Sequence, residues 1–269
     1  MQKLTELFDR LRSLESVLVA FSGGVDSTFL LWAAVQALGP KVLAVTASGP
    51  ARPPGEEKEA EKLARQLGIE FMVIQGRELN LPEFTANPPS RCYFCRRNLY
   101  QQLKQIAKSR GLNQVIDGTN FDDGSDYRPG IRAAKEAGII SPLAEVGLTK
   151  AEIRQLARQA GLPIWDKPAE PCLASRIPYN QPITEEKLRQ IALAEAHLRQ
   201  LGFVPCRVRH HGDTARIEVE ASQLAEVTKK ASELVTFLEN LGFTYVTLDL
   251  KGFRSGSLNE VLEIQALKP

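Results

Sequence analysis

Two groups of residues in this chain have the types and spacing for chemistry. The first is Ser22-Gly23-Gly24-Val25-Asp26-Ser27, set between the apolar run Val17–Phe21 and a helical pattern that begins near Asp26. Adjacent glycines let a backbone turn tightly, and the free amides of the turn and of the helix start then face one point, where the helix dipole favours an anion. Ser22 and Ser27 add hydroxyl donors. A carboxylate at Asp26 repels phosphate, so its natural place is as a Mg²⁺ ligand, with the ion shared by phosphate oxygens. The second group is the cysteines. Cys92 and Cys95 form a C-x-x-C among Arg91, Arg96 and Arg97; Cys172 lies in a proline-rich stretch and Cys206 in a strand pattern. A C-x-x-C at a helix start is a redox pair, half of a zinc site, or part of an iron–sulfur site. His210 and His211 are neighbours on a strand, face opposite ways and do not complete a zinc site. Three thiolates would hold three corners of a [4Fe–4S] cluster and leave one iron open. Cys206 alternates with Val204 and Val208 and reads as core.

These groups need elements to position them. Strand patterns at Val17–Phe21, Val42–Thr46, Phe71–Ile74 and Val115–Asp117 alternate with helical patterns at 26–38, 56–67, 93–109, 131–137 and 149–160. That alternation predicts an α/β fold with a parallel sheet covered on both faces. In such sheets ligands sit at the carboxyl ends of the strands. Thr46 and Ser48 at the end of the second strand, with Arg52 after them, become candidate ligand contacts. At the end of the fourth, Gly118, Thr119 and Asn120 are candidate nucleotide contacts, and Asp122 and Asp123 candidate metal ligands. Residues 162–183 hold five prolines and read as a connecting segment. After it come a helix (184–201), strands (204–211 and 215–219), a helix (221–241) and strands (245–250 and 260–265). The expected organisation is a nucleotide domain over 1–165, a loop carrying Cys172 over 166–183, and a smaller α/β domain over 184–269. Arg207 and Arg209 share a strand face and suit a phosphate.

The bulk numbers exclude several classes. With 269 residues, 43% hydrophobic and 25% charged, the chain has material for a real core and no mark of disorder. A net charge of +2 argues against a nucleic-acid partner, which would call for a basic patch. The start of the chain reads as an amphipathic helix rather than a signal peptide, and no apolar run reaches a membrane span. Four cysteines without a disulfide framework point to a reducing, cytoplasmic setting.

The loop lacks both the Gly-Lys-Ser/Thr of a Walker A motif and the dinucleotide G-x-G-x-x-G. It resembles the PP-loop of the ATP pyrophosphatases, which cut ATP between its α- and β-phosphates. The loop, Asp117-Gly118-Thr119-Asn120, Tyr127-Arg128-Pro129-Gly130, Ser141-Pro142-Leu143, Asp166-Lys167-Pro168 and Cys172-Leu173-Ala174-Ser175-Arg176-Ile177-Pro178-Tyr179 together resemble the LarE family. The likeness runs from about residue 17 to residue 219, and the cysteine segment is its most specific part. The resemblance implies a Rossmann-like, adenine nucleotide alpha hydrolase-like domain and an ATP-dependent sulfur transferase of nickel-pincer nucleotide biosynthesis. ATP would adenylate a carboxylate of pyridinium-3,5-biscarboxylic acid mononucleotide, and sulfur would displace AMP to leave a thiocarboxylate. It also implies a choice of sulfur source. One branch sacrifices the cysteine that matches Cys172; the other carries a [4Fe–4S] cluster on three cysteines, and Cys92 and Cys95 assign this chain to the second. Arg176, Arg207, Arg209 and Glu218 are then expected at the substrate, with Cys172, Asp26 and Arg176 as catalytic groups. A homo-oligomer assembled through the smaller domain is the further expectation. A tRNA-thiolating PP-loop enzyme is the main alternative. An amide-forming PP-loop synthetase would leave the cysteines without a task.

Overall fold

A computed structural model describes residues 2–125, 129–168, 170–254 and 256–260. The chain divides into two compact units, one of residues 1–84 and 89–170, the other of residues 85–88 and 171–269.

The first unit is built on strands β1 (Val17–Ala20), β2 (Val42–Ser48), β3 (Glu70–Gln75) and β4 (Gln114–Asp117). They form a parallel sheet in the order β3-β2-β1-β4, extended by a parallel bridge from Ile116 to Ile140. Helices α1 (Gln2–Arg12), α2 (Val25–Leu38), α3 (Glu56–Gln66), α4 (Pro82–Thr85), α5 (Arg91–Ser109), α6 (Pro129–Ala137), α7 (Pro142–Glu145) and α8 (Lys150–Gln159) accompany it. The alternation along β1 sorts the core. Val17 and Val19 join one cluster, with Leu7, Leu11, Phe29, Leu30, Ala60 and Ile153, while Leu18 joins the other, with Tyr100, Leu103 and Ala133. Both faces are therefore covered, which is why β1 is an uninterrupted apolar run. Helix α2 is apolar nearly all round, as a helix buried beside a central strand must be.

The second unit carries β5 (Cys206–His211), β6 (Thr214–Val219) and β7 (Tyr245–Leu248), with β5 antiparallel and β7 parallel to β6. Helices α9 (Glu185–Gln200), α10 (Leu224–Lys229) and α11 (Ala231–Asn240) belong to it. Ala194, Leu198, Val208, Ile217, Leu234 and Leu238 are among its core residues, and Cys206 joins them. Two sequence expectations shift. The single helix expected over 221–241 breaks at Lys230, whose φ of −96° and ψ of 10° depart from the helix as its amide closes on Val227 O. The strand expected from Val204 starts at Cys206, since Pro205 has no amide to give a ladder. Within the connecting segment 162–183, Leu173–Arg176 forms a 3₁₀ turn. Residues 85–88 also return to this unit. Buried Asn87 donates its side-chain amide to the carbonyls of Ile177, Pro178 and Gln181 at 3.3, 2.8 and 3.0 Å. Tyr127, Arg128 and most of the strand expected over 260–265 lie outside the described residues. Among the described residues no helix is long and apolar enough to cross a membrane.

Candidate active site

The loop between β1 and α2 has the shape its glycines predict. Gly23 sits at φ +73°, and a Cβ there would lie 3.3 Å from the Ala60 Cβ, so α3 packs directly on the turn. Gly24 caps α2 without any side-chain bond, leaving the first-turn amides available. The two serine hydroxyls meet at 3.0 Å, and Ser27 Oγ also donates to Gly24 O at 3.1 Å.

Strand β4 abuts this loop. Asp117 is in register with Ala20, and a Cβ on Gly118 would come within 2.8 Å of Ser27 N, so only glycine fits there. Asn120 Nδ2 reaches Asp26 Oδ2 at 3.4 Å, and its own loop is closed by exchange with Asp123. Lys150 Nζ, at the start of α8, lies 2.6 Å from the same Asp26 oxygen. The other oxygen, Oδ1, is buried and has no partner among the described residues. A buried carboxylate oxygen without a partner is costly unless something arrives to use it. It fits Mg²⁺ as a ligand, with oxygen chemistry that suits the ion. Asp122 Oδ2 accepts the Lys150 amide at 2.8 Å and so helps start α8, while Lys150 and Asn120 present side chains to Asp26.

A pocket of about 140 Å³ opens beside the loop, lined by Ser22, Thr46, Ala47, Ser48, Arg52 and Glu56 among others. It brings together Thr46, Ser48 and Arg52, three of the candidate nucleotide contacts. Thr46 offers no free hydroxyl, because Oγ1 donates to Phe21 O at 2.6 Å and the residue is buried. Sequence reading missed Glu56 and Lys150. Burial, opposed chiefly by Arg52, raises the Glu56 carboxyl to about 7. No short motif marks either residue; each is brought in by the first turn of a helix.

Cys92 and Cys95 lie on the first turns of α5, the first exposed and the second half-buried. Cys172, also half-buried, belongs to the second unit. Burial pushes the Cys206 thiol up to about 11, as suits a packed core residue rather than a ligand. Among the described residues no three His, Cys, Asp or Glu side chains gather as a metal site.

Arg176 differs from expectation. Its side chain is fully buried, donating to Glu195 through Nε (2.8 Å) and Nη2 (2.9 Å). Nη1 turns back to the carbonyls of Pro171 and Cys172, at 2.6 and 3.1 Å, and to Ser175 Oγ. Each of its nitrogens is engaged, so it shapes the cysteine loop. Arg209 likewise pairs with buried Glu218 through two bonds and donates to Ser175 O. Arg207 stacks on Phe253 and donates to Cys206 O. Burial, then the nearby Arg176 charge, pulls Arg207 below its ordinary value.

Comparison with known proteins bears on this arrangement. The family model for NAD synthase matches residues 3–116. An uncharacterized protein of Synechocystis is 47% identical over 97% of this chain and 98% of its own length. The pyridinium-3,5-bisthiocarboxylic acid mononucleotide synthase of Lactiplantibacillus plantarum is 39% identical over 97% of this chain and 95% of its own length. The chain belongs to the LarE family. The match to a GMP synthase of Aeropyrum pernix, 33% identical, covers 67% of this chain but 38% of that enzyme. As a LarE family member with a PP-loop unit, the chain is an ATP-dependent sulfur transferase. The LarE family fold, a parallel α/β sheet with a PP-loop, is the one built around β1.

Proposed function

We propose that this chain adenylates a carboxylate of pyridinium-3,5-biscarboxylic acid mononucleotide and converts it to a thiocarboxylate. A carboxylate oxygen attacks the α-phosphorus of ATP, and the bond to the β-phosphate bridging oxygen breaks, releasing pyrophosphate. A sulfur nucleophile then adds to the acyl carbon and AMP departs. The observation that carries this reading is the loop Ser22–Ser27 with its buried, unpartnered Asp26 oxygen. Asp26 would hold Mg²⁺, and the amides of the α2 start would hold the phosphates. The ion's charge at the transferring phosphorus would stabilise the transition state. Lys150, close enough to Asp26 to bond it, would receive the pyrophosphate as the ion pair opens.

The substrate's own phosphate is assigned to Arg207 and Arg209. An anion there relieves the repulsion and burial that lower Arg207, while Glu218 keeps Arg209 oriented. Cys92, Cys95 and Cys172 would hold a [4Fe–4S] cluster, whose chemistry when bound is to present a sulfide at its open iron. Their fit rests on donor chemistry: these are the three thiols outside the packed core. A cytoplasmic homo-oligomer built through the second unit completes the proposal.

The test is pyrophosphate release under anaerobic conditions with ATP, Mg²⁺ and the pyridinium biscarboxylate nucleotide. Release that depends on that nucleotide is expected. Release that depends instead on tRNA, and falls steeply with salt, would replace this reading with tRNA thiolation.

A further inference from the structure

We propose that Arg96 is a positioning residue that couples the Cys92–Cys95 turn to the nucleotide loop through Tyr100 and Asp117. The inference rests on the reading of Cys92 and Cys95 as sulfur-handling residues, and it deepens that reading. Arg96 Nη1 donates to Tyr100 Oη at 3.2 Å, and Tyr100 Oη donates to Asp117 Oδ2 at 2.6 Å. Arg96 Nη1 also lies 3.6 Å from that carboxylate oxygen. Donation therefore runs one way, from guanidinium to phenol to carboxylate. Burial pushes the Tyr100 hydroxyl well above its ordinary value, so it keeps the proton this relay needs.

Both ends of the relay are fixed to functional elements. Asp117 pairs in register with Ala20, two residues before Ser22, and the next residue, Gly118, is in close contact with Ser27 N. Its second oxygen is held by the Thr119 amide and the Ser141 hydroxyl, at 3.1 and 2.7 Å. At the other end, Arg96 follows Cys95 and stands four residues after Cys92, on the same face of α5. The Arg96 shaft also has a reserved place. A Cβ on Gly130, at the start of α6, would stand 2.5 Å from Arg96 Cδ and 2.9 Å from Nε. A side chain there would force the Arg96 shaft to shift.

The consequence is mechanical. A phosphate drawn onto the Ser27 amide presses on Gly118 and Asp117, and the relay passes the displacement to the helix turn carrying the two thiols. Filling the nucleotide site would thereby set the position of Cys92 before sulfur is needed.

The experiment uses the full chain, reduced and free of iron, with a non-hydrolysable ATP analogue at saturation verified by calorimetry for each protein. A neutral alkylating reagent is applied, and modification at each cysteine is followed by mass spectrometry. In the unaltered chain the nucleotide should change the Cys92 rate at least about fivefold, the low end of ordinary coupling between sites. Tyr100→Phe, which removes one oxygen, and Arg96→Ala should bring that factor close to one at full nucleotide saturation. Arg96→Lys, which keeps a donor and a charge, should retain most of it. An unchanged factor in both Tyr100→Phe and Arg96→Ala, or no nucleotide effect in the unaltered chain, overturns the proposal. The absence of an iron–sulfur absorption band after anaerobic reconstitution would count against the cluster alone, because the thiol readout does not involve iron.

Discussion

Asp26 and Glu195 are both carboxylates set against a basic side chain, one in each unit, and they are built to opposite ends. Glu195 is wholly buried, and every lone pair has a taker: Arg176 Nε and the Val208 amide on one oxygen, Arg176 Nη2 and Arg199 Nη2 on the other. Asp26 uses one oxygen on Lys150 and Asn120 and leaves the other buried without a partner. Closed networks of the first kind hold shape, and a dangling buried group of the second kind waits for a ligand. The same residue types thus do structural work in the cysteine-loop unit and are poised for chemistry in the nucleotide unit.

The most direct way to break this comparison is to remove the closed carboxylate. Glu195→Ala strands Arg176 in the core, and breaking a buried pair from one side costs about 3–5 kcal/mol. A denaturant midpoint measurement should show that loss. It should also show faster alkylation of Cys172, because Arg176 ties the carbonyls of residues 171 and 172. A loss under 1 kcal/mol would mean that the network is not the frame of the loop.

The opposite result is expected at Asp26. Asp26→Asn removes a charge with an unsatisfied oxygen, so folding stability should hold or improve slightly. Pyrophosphate release should fall about 10²–10³-fold, the scale of losing one transition-state electrostatic contact. Raising Mg²⁺ should not restore it. Equal losses of stability and turnover would erase the distinction between the two carboxylates.

How much of this was readable in the sequence follows the same division. The loop, the strand–helix alternation and the packed Cys206 were legible, because local spacing and apolar runs encode them. Lys150 and Glu56 were not, since only the sheet brings the starts of α8 and α3 to the loop. Arg176 was legible as a residue beside the cysteine, and its bond to Glu195 was not. Nothing local reveals that Glu195, on a helix nineteen residues away, will take its guanidinium. Asn87 was silent for the same reason: its three acceptors are about ninety residues distant.

Glu56 sharpens the comparison through pH. Its folded carboxyl stands near 7 against 4.5 in the unfolded chain, chiefly because burial disfavours the charge. The folded state therefore holds its proton more tightly. Stability from this group is full below pH 4.5, falls as pH rises from 4.5 toward 7, and is level above that, a change of up to about 3 kcal/mol. Glu56→Gln should flatten that slope in thermal unfolding across the window. A slope that survives the substitution would place the strain elsewhere than the nucleotide pocket.

The smallest effect expected tests whether the poised state of Asp26 depends on how α8 begins. Thr149 and Glu152 form a reciprocal capping box there, and Lys150 is the first helical residue. Lys3 Nζ bonds Glu152 at 2.8 Å. The Lys3 bond, followed by those from Thr149, lowers the Glu152 carboxyl to about 2, so its stabilisation is present above pH 4.5 and fades as pH falls toward 2. Thr149→Ala removes the hydroxyl of the box and should cost about 1 kcal/mol. That fraying would loosen Lys150 from Asp26 without touching either side chain. If Lys150 serves the pyrophosphate, its looser hold should weaken nucleotide binding several-fold while the anaerobic iron–sulfur spectrum stays unchanged. If Lys150 only neutralises Asp26, the same substitution should leave nucleotide affinity level or improve it, since the carboxylate would be freed for Mg²⁺. Calorimetry with the ATP analogue separates the two by the direction of the change.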